Sequence, residues 1–420
     1  MDIQISTFGA LLGLAIAIVL IIKKIHPAYS LILGAFIGGI VGGAGLEGTV
    51  NVMIEGAQGI MPSILRIVTS GVLAGVLIQT GAAAKIADQI IQILGEKRAL
   101  FGLALSTMIL TAVGVFVDVA VITVSPIALA IAKKLHLPKM AILIAMIGGG
   151  KAGNVISPNP NTIADAGNFG VELSSLMAAN VVPAIFGLIV AVILSSVLAK
   201  KYKDDKIEEV KEDIEMTELP SIFGAIIGPI VAIVLLSLRP LVGITVDPLI
   251  ALPVGGIVGV IVMGKASHIN EYITFGLSKM MPVAILLVGT GTVAGIIQSS
   301  TLQQTTITLL DATNLPTFLL APISGILMSA ATASTTAGAT IASATFAPAI
   351  IESGIAPLSG AAMVHTGATV LDHLPHGSFF HATAGATNMT IGDRLKLIPY
   401  ESAVGLTMTI VSTIMWGIIM

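Results

Sequence analysis

The stretch Gly148-Gly149-Gly150-Lys151-Ala152-Gly153-Asn154-Val155-Ile156-Ser157-Pro158-Asn159-Pro160-Asn161-Thr162 decides how the chain folds. It continues an apolar run that begins near residue 140. Three consecutive glycines followed by Pro158 and Pro160 prevent an unbroken helix, because proline has no N–H to donate and clashes with the preceding turn. Opened backbone at membrane depth is tolerated only where protein buries it or where it lines a watery cavity. A helix N-terminus beside such a break attracts carboxylates. Asn154, Ser157, Asn159 and Asn161 add donors and acceptors, and Lys151 adds a positive charge.

Composition places this break in a bilayer. Hydrophobic residues make up 55% of the 420, charged residues only 10%, and the mean hydropathy is +1.01. Soluble domains carry roughly 25% charged residues, so a chain this apolar needs lipid around it. The net charge of -3 gives no basic field for nucleic acid. Cysteine is absent, which excludes disulfides, thiolate nucleophiles and Cys-ligated metals. No nucleophile–base–acid set appears, so the sequence gives no sign of an enzyme or of a cofactor.

Apolar runs at 7–22, 28–45, 62–83, 176–199, 221–238, 246–264, 280–299 and 400–419 read as membrane helices. Two longer stretches, 100–132 and 316–350, precede the irregular segments 139–168 and 358–388. Positive loops stay in the cytoplasm, so Lys23 and Lys24 place the N-terminus outside. Segment 100–132 lies between Arg98 and Lys133-Lys134, with both ends on the cytoplasmic side, and reads as a re-entrant hairpin. Segment 139–168 crosses outward as a broken helix. The charged linker 200–219 is cytoplasmic and divides the chain. In the second half, hairpin 316–350 enters from outside and broken helix 358–388 crosses inward towards Arg394 and Lys396. The C-terminus is then outside too.

Each half (1–199 and 220–420) is thus expected to hold about five crossings and one hairpin. Five is odd, so the second copy is inverted. Met61-Pro62 recurs as Met281-Pro282, and Gly71, Ala74 and Gly75 recur as Gly291, Ala294 and Gly295, all 220 residues apart. The expected fold is an all-α polytopic membrane protein of two inverted repeats, the architecture of secondary transporters.

Three further segments carry chemistry. The first hairpin turns near Gly114 and places Asp118 in an apolar stretch, either as a proton or cation site or as a cap for backbone amides. The second hairpin, with Ser334, Thr335 and Thr336, offers hydroxyls to substrate oxygens, or simply packs tightly. In the second broken span, four of the seven histidines lie between 365 and 381. His365 and Thr366 are candidate substrate contacts, and His373 and His376 candidate proton carriers. Metal ligation is the rival reading of the histidines, without a thiolate to support it. Lys151 either touches substrate or neutralises an acid such as Asp118. Arg66 reads as snorkelling to the interface.

Taken in order, several motifs resemble the gluconate permease family of proton-coupled carboxylate symporters, within the ion transporter superfamily. They are 71–75 with 81–87, Val115-Phe-Val-Asp-Val119 with Ser125-Pro126, Ser157-Pro-Asn-Pro160, the Thr/Ser hairpin 332–340, His373-Leu-Pro-His-Gly-Ser-Phe379 and Met389-Thr-Ile391. The resemblance covers most of 50–400. It implies an inner-membrane importer of sugar acids such as gluconate, two hairpins meeting two broken helices, and a homodimer with a scaffold and a moving transport domain. The chain departs from the family's usual pattern at 373–376 and at Lys151.

The expected function is therefore proton symport of a small hydroxy-carboxylate. A sodium-coupled carboxylate transporter and a cation/proton antiporter are the rivals. The topology has a direct test in a chain without cysteine. Asp205→Cys in the linker is expected to react with an impermeant thiol reagent in inverted vesicles only; labelling from outside intact cells would overturn the orientation.

Overall fold

The computed structural model describes residues 4–202, 219–238, 243–302, 305, 316–375 and 377–419. Most of the linker (203–218), Arg239 and His376 lie outside the described residues. Within them the chain is helical, and the only extended pairing is one bridge between Ile5 and Ser300.

The first half runs α1 (Thr7–Ile22), α2 (Pro27–Val41), α3 (Gly45–Gly59), α4 (Met61–Gln79), α5 (Ala82–Leu94), α6 (Ala99–Ala112), α7 (Val117–Leu135), α8 (Lys139–Asn154), α9 (Pro160–Phe169), α10 (Leu173–Ala179) and α11 (Val181–Lys201). The second half runs α12 (Ile222–Leu236), α13 (Pro248–Val262), α14 (Ile269–Gln298), α15 (Leu320–Thr332), α16 (Thr335–Glu352), α17 (Pro357–Gly367), α18 (Ser378–Ala386), α19 (Ile391–Leu395) and α20 (Ile398–Thr413).

Several expected spans divide differently. The run 28–45 ends at Val41, because Gly43 and Gly45 adopt φ of 99° and 68°. These values suit glycine and stop a right-handed helix. The next helix, α3, was not expected as a span. The run 62–83 ends at Gln79, and Gly81 (φ 78°) turns the chain into α5. The run 280–299 is the second half of a 30-residue helix, which at 1.5 Å per residue is about 45 Å long. The stretches 100–132 and 316–350 are each two helices, parted at Gly114 (φ 103°) and Ala333 (φ 46°).

Helices α1–α4 pack with α12–α14 as one group, and α6–α11 with α15–α20 as the other. Phe8, Phe186, Ile193, Phe223 and Ile261 point outward from long apolar helices and stay exposed. Such surface suits lipid and would be a liability in water. Among the described residues, four helical stretches are long and apolar enough to cross a membrane, Met61–Gln79, Val181–Lys201, Ala266–Gln298 and Ile391–Ile419. Arg66 stays partly exposed and forms a forked ion pair with Asp247 (Nη2–Oδ2 2.7 Å), the residue that caps α13.

Glycine contacts set the helix crossings of the first group. A methyl group at Gly56 would strike the backbone of Gly291 and Gly295, and one at Gly276 would strike that of Gly71. Gly75 likewise meets Tyr272 and Gly276. These helices touch main chain to main chain, as small residues allow in membranes.

Gly276→Val is therefore expected to lower the melting temperature in detergent by several degrees, in line with the about 1–3 kcal/mol cost of overpacking. Gly385→Ala, whose added methyl meets nothing within 4 Å, should leave it unchanged. Equal melting of both variants would contradict the close crossing.

Candidate functional site

The first break is built around Asn159. Its Oδ1 accepts from the backbone N–H groups of Asn161 (2.9 Å) and Thr162 (3.1 Å), capping α9. Its Nδ2 donates to the carbonyl (2.8 Å) and side-chain oxygen (2.6 Å) of Asn154 at the end of α8. One amide thus staples the two helix ends together and satisfies backbone groups that the prolines leave open. Asn159 is a structural part of the break, and Asn154 and Asn161 face the cavity described below.

The second break spans 368–377, between α17 and α18. Asp372 and His373 lie in it, both buried. Lys151 reaches them from the last turn of α8. Its Nζ donates to the Thr369 carbonyl (2.7 Å) and Asp372 Oδ1 (2.5 Å), and stands 2.9 Å from His373 Nδ1. An ammonium has three protons, and the Thr369 carbonyl and Asp372 Oδ1 accept two of them. His373 Nε2 lies 3.1 Å from the Ile398 carbonyl, which can only accept. His373 Nδ1 also lies 2.9 Å from Asp372 Oδ1, so Lys151, Asp372 and His373 close a triangle of mutual contacts. The acid beside Lys151 is therefore Asp372 rather than Asp118.

The charge network continues inward. Asp372 Oδ2 accepts from the Thr335 hydroxyl (2.5 Å). Glu401 approaches His373 at 3.9 Å and pairs through both oxygens with Arg394. Arg394 also donates to Thr383 (3.2 Å) and lies over the Phe380 ring at 4.8 Å. Lys151, Glu401 and Arg394 are at most 1% exposed. Two cations and two carboxylates thus balance one another where a lone charge would be expensive.

Next to this network lies a cavity of about 870 Å³. Its walls include Asp118 from α7, Asn154 and Asn161 from the first break, Ser334, Thr335 and Thr336 from the α15–α16 turn, and Asp372. Lys24, His26, Lys279 and His381 also line it. Thr336 donates to Asn161 Oδ1 (2.6 Å), joining the turn to the break. Asp118 accepts from the Val119 N–H (2.9 Å).

The expected site residues therefore separate. Asp118, Asn154, Asn161, Ser334, Thr335 and Thr336 line the cavity. Lys151 and His373 stand behind its wall, and Ser157 and Asn159 are buried in the break. His365 and Thr366 are buried within α17, where the Thr366 hydroxyl donates to Ala362 O (2.9 Å) and neither His365 nitrogen has a partner. Sequence reasoning missed Asp372, Glu401 and Arg394. An acid in an apolar stretch is the signal that singled out Asp118, and it applies equally to Asp372. Arg394 was expected in a cytoplasmic loop and is instead buried and paired.

Comparison with known proteins agrees with this architecture. Residues 5–419 match the GntP family permeases. An uncharacterized transporter of Haemophilus influenzae is 58% identical over 414 residues, covering 99% of both chains. The high-affinity gluconate transporter of Escherichia coli is 21% identical over 412 residues, covering 92% of this chain and 93% of its own. The YdaH transporter of Alcanivorax borkumensis shares the fold, with a TM-score of 0.68 at 14% identity over 97% of this chain and 98% of its own. A chain matched from end to end in this way, with lipid-facing helices around a polar cavity, belongs to the GntP family of multi-pass membrane permeases.

Proposed function

We propose that this permease imports a small hydroxy-carboxylate, a gluconate-like sugar acid, together with a proton, through alternating access between two inverted repeats. The observation that carries the proposal is the cavity where two helix breaks and two helix–helix turns converge. Its volume falls within the range of roughly 300–1,000 Å³ typical of small-molecule sites. Hydroxyls and amides from Asn154, Asn161, Ser334, Thr335 and Thr336 suit the oxygens of a polyol acid. Lys24 and Lys279 along its lining attract an anion.

The repeat itself has support in the glycine crossings. Gly56 meets Gly291 and Gly295, while Gly276 meets Gly71 and Gly75. Adding 220 to each member of the second group's partners turns one crossing into the other, as exchange of two related halves requires. The element order also recurs, from α1–α2 and α12–α13 to α8–α9 and α17–α18. With Lys24 and Lys279 on the cytoplasmic side, the cavity opens inward. The Arg66–Asp247 pair then lies on the outer side.

Asp118 is the proposed proton-exchange group, because it alone among the cavity's carboxylates lacks a cation partner within 4.0 Å in the described structure. Lys151 acts through Asp372: it holds that acid, and with it Thr335, in place on the cavity wall. His373 fixes the same pair. A sodium-coupled carboxylate transporter is the second reading, favoured by the number of hydroxyl and amide oxygens.

Two outcomes are expected. In sodium-free proteoliposomes with an imposed pH gradient, the wild type accumulates labelled gluconate, whereas Asp118→Asn loses accumulation and keeps substrate counterflow. Uptake that needs sodium, or a variant that still concentrates substrate, would refute proton coupling through Asp118. Second, Lys151→Gln strands Asp372, and removing one partner of a buried pair costs about 3–5 kcal/mol. Its ligand-free melting point should fall, and adding Asp372→Asn should restore part of the loss. Normal melting with weakened binding would instead make Lys151 a substrate contact.

A further inference from the structure

Behind the cavity, α9, α16 and α17 pack together around a second polar group that the transport reading above does not use. Asp165 on α9 is fully buried, and neither carboxylate oxygen has a hydrogen-bond partner. The neighbouring Ser343 hydroxyl donates to Ala339 O at 2.8 Å and accepts from Asn168 Nδ2 at 2.9 Å, and turned towards Asp165 it is a single hydroxyl donor to that acid. No ion pair to Asp165 is formed among the described residues. The Thr340 and Thr345 hydroxyls of α16 and both His365 nitrogens of α17 are likewise buried and unpartnered.

The register of these helices is known from two contacts. Asn161 meets Thr336, and Asn168 meets Ser343, each pair 175 residues apart. The same offset sets Asp165 level with Thr340. Asn161, Asp165 and Asn168 follow at helical spacing on one face of α9. Asn161 lines the cavity, so Asp165 sits about one turn, roughly 6 Å along the axis, behind the substrate wall. Gly360 of α17 abuts Phe169 of α9 and Ile350 of α16, which brings α17 against both.

An ionised carboxylate with no cation, and with hydroxyls alone beside it, is costly in such a place. The other ionisable groups on the helices packed against α9 do not change this. Arg66 of α4 is committed to Asp247, Glu352 of α16 is exposed, and Glu172 stands at the start of α10. His365 is the remaining buried one. We propose that Asp165, with the Thr340 hydroxyl beside it and His365 on the facing helix, is a second, dry proton-binding site that holds the transported proton while the cavity is closed to both sides. This rests on the proton-symport reading. Asp118 exchanges protons with cavity water; Asp165 keeps one. Substrate that engages Asn161 and Thr336 tightens the first rung of the α9–α16 interface and keeps water from the protonated carboxyl. Once the substrate has left, water reaches the carboxyl, which releases its proton to a water molecule as hydronium and becomes a carboxylate.

Linkage supplies the test, because a proton that is carried with the substrate must also strengthen its binding. Affinity for D-gluconate is measured by calorimetry on the purified protein between pH 5.5 and 9, where gluconate itself stays ionised. The wild type is expected to bind more weakly as pH rises, approaching tenfold per unit above the midpoint. Asp165→Asn, a neutral mimic of the protonated acid, should bind with an affinity that no longer changes with pH. A variant that keeps the wild-type slope overturns the proton site and leaves the transport reading standing. A wild type whose affinity is flat, or that does not bind gluconate, overturns that reading and the proton site with it. Should Asp165→Asn fail to fold, Thr340→Val carries the test: a shifted midpoint supports the site, and an unshifted one overturns it.

Discussion

One buried ion pair joins the two broken segments of this protein. Lys151 ends α8 in the first half, Asp372 lies in the break of the second, and they meet at 2.5 Å although 221 residues separate them. Each broken segment exposes backbone groups that a bilayer does not satisfy. The first break resolves this internally through Asn159. The second resolves part of it through Lys151, whose ammonium takes up the Thr369 carbonyl. The cation therefore serves as a backbone cap and as a counter-ion at once. Replacing it by any neutral side chain disturbs both functions.

That pair needs a rigid frame, and glycine supplies it. The α6–α8 contact is as close as those of the first group: methyl groups at Gly149 and Gly153 would strike the carbonyls of Ala104 and Met108. Backbone approach of this kind fixes helix spacing without relying on the fit of flexible side chains. It also places the end of α8, and with it Lys151, to within a narrow range. The many glycines of this chain thus do two separate things. Most bring helices together, while a few, such as Gly114 and Gly81, turn the chain through a left-handed conformation.

Much of this was legible in the sequence, for identifiable reasons. The break itself, at 155–159, follows from Pro158 and Pro160 and needs no tertiary information, whereas the three glycines expected to open the helix stay helical inside α8. The turn near Gly114 followed from a long apolar stretch with positive charge at both ends, and the turn within 316–350 from a like stretch with none at either end. What failed was anything that depends on a partner far along the chain. Arg394 counted as a loop charge because the positive-inside rule does not distinguish a solvated arginine from one paired with Glu401 in the interior. Asp372 was hidden among histidines that drew attention as titratable groups. Asp165 lies only four residues past Asn161, and nothing local marks its carboxyl as unpartnered. Helix ends shifted where short turns, such as 42–44, are too small to interrupt an apolar run.

The charge balance of the site bears on what crosses the membrane. Lys151, Asp372, Glu401 and Arg394 sum to zero before any substrate arrives. An organic anion entering the cavity therefore adds a charge that this network does not neutralise. Lys24 and Lys279 attract it to the cavity, but they belong to α1's end and to α14, in the group formed by α1–α4 and α12–α14. If the other group moves, as alternating access between them requires, those lysines stay behind and the anion travels without its counter-ion. Carrying a bare charge through a low-dielectric barrier is expensive. A proton bound on the moving group offsets it, and the moving group contains both Asp118 on α7 and Asp165 on α9. Under this scheme coupling to protons is a consequence of electrostatics: the substrate crosses readily only when one of these acids crosses with it in the neutral form.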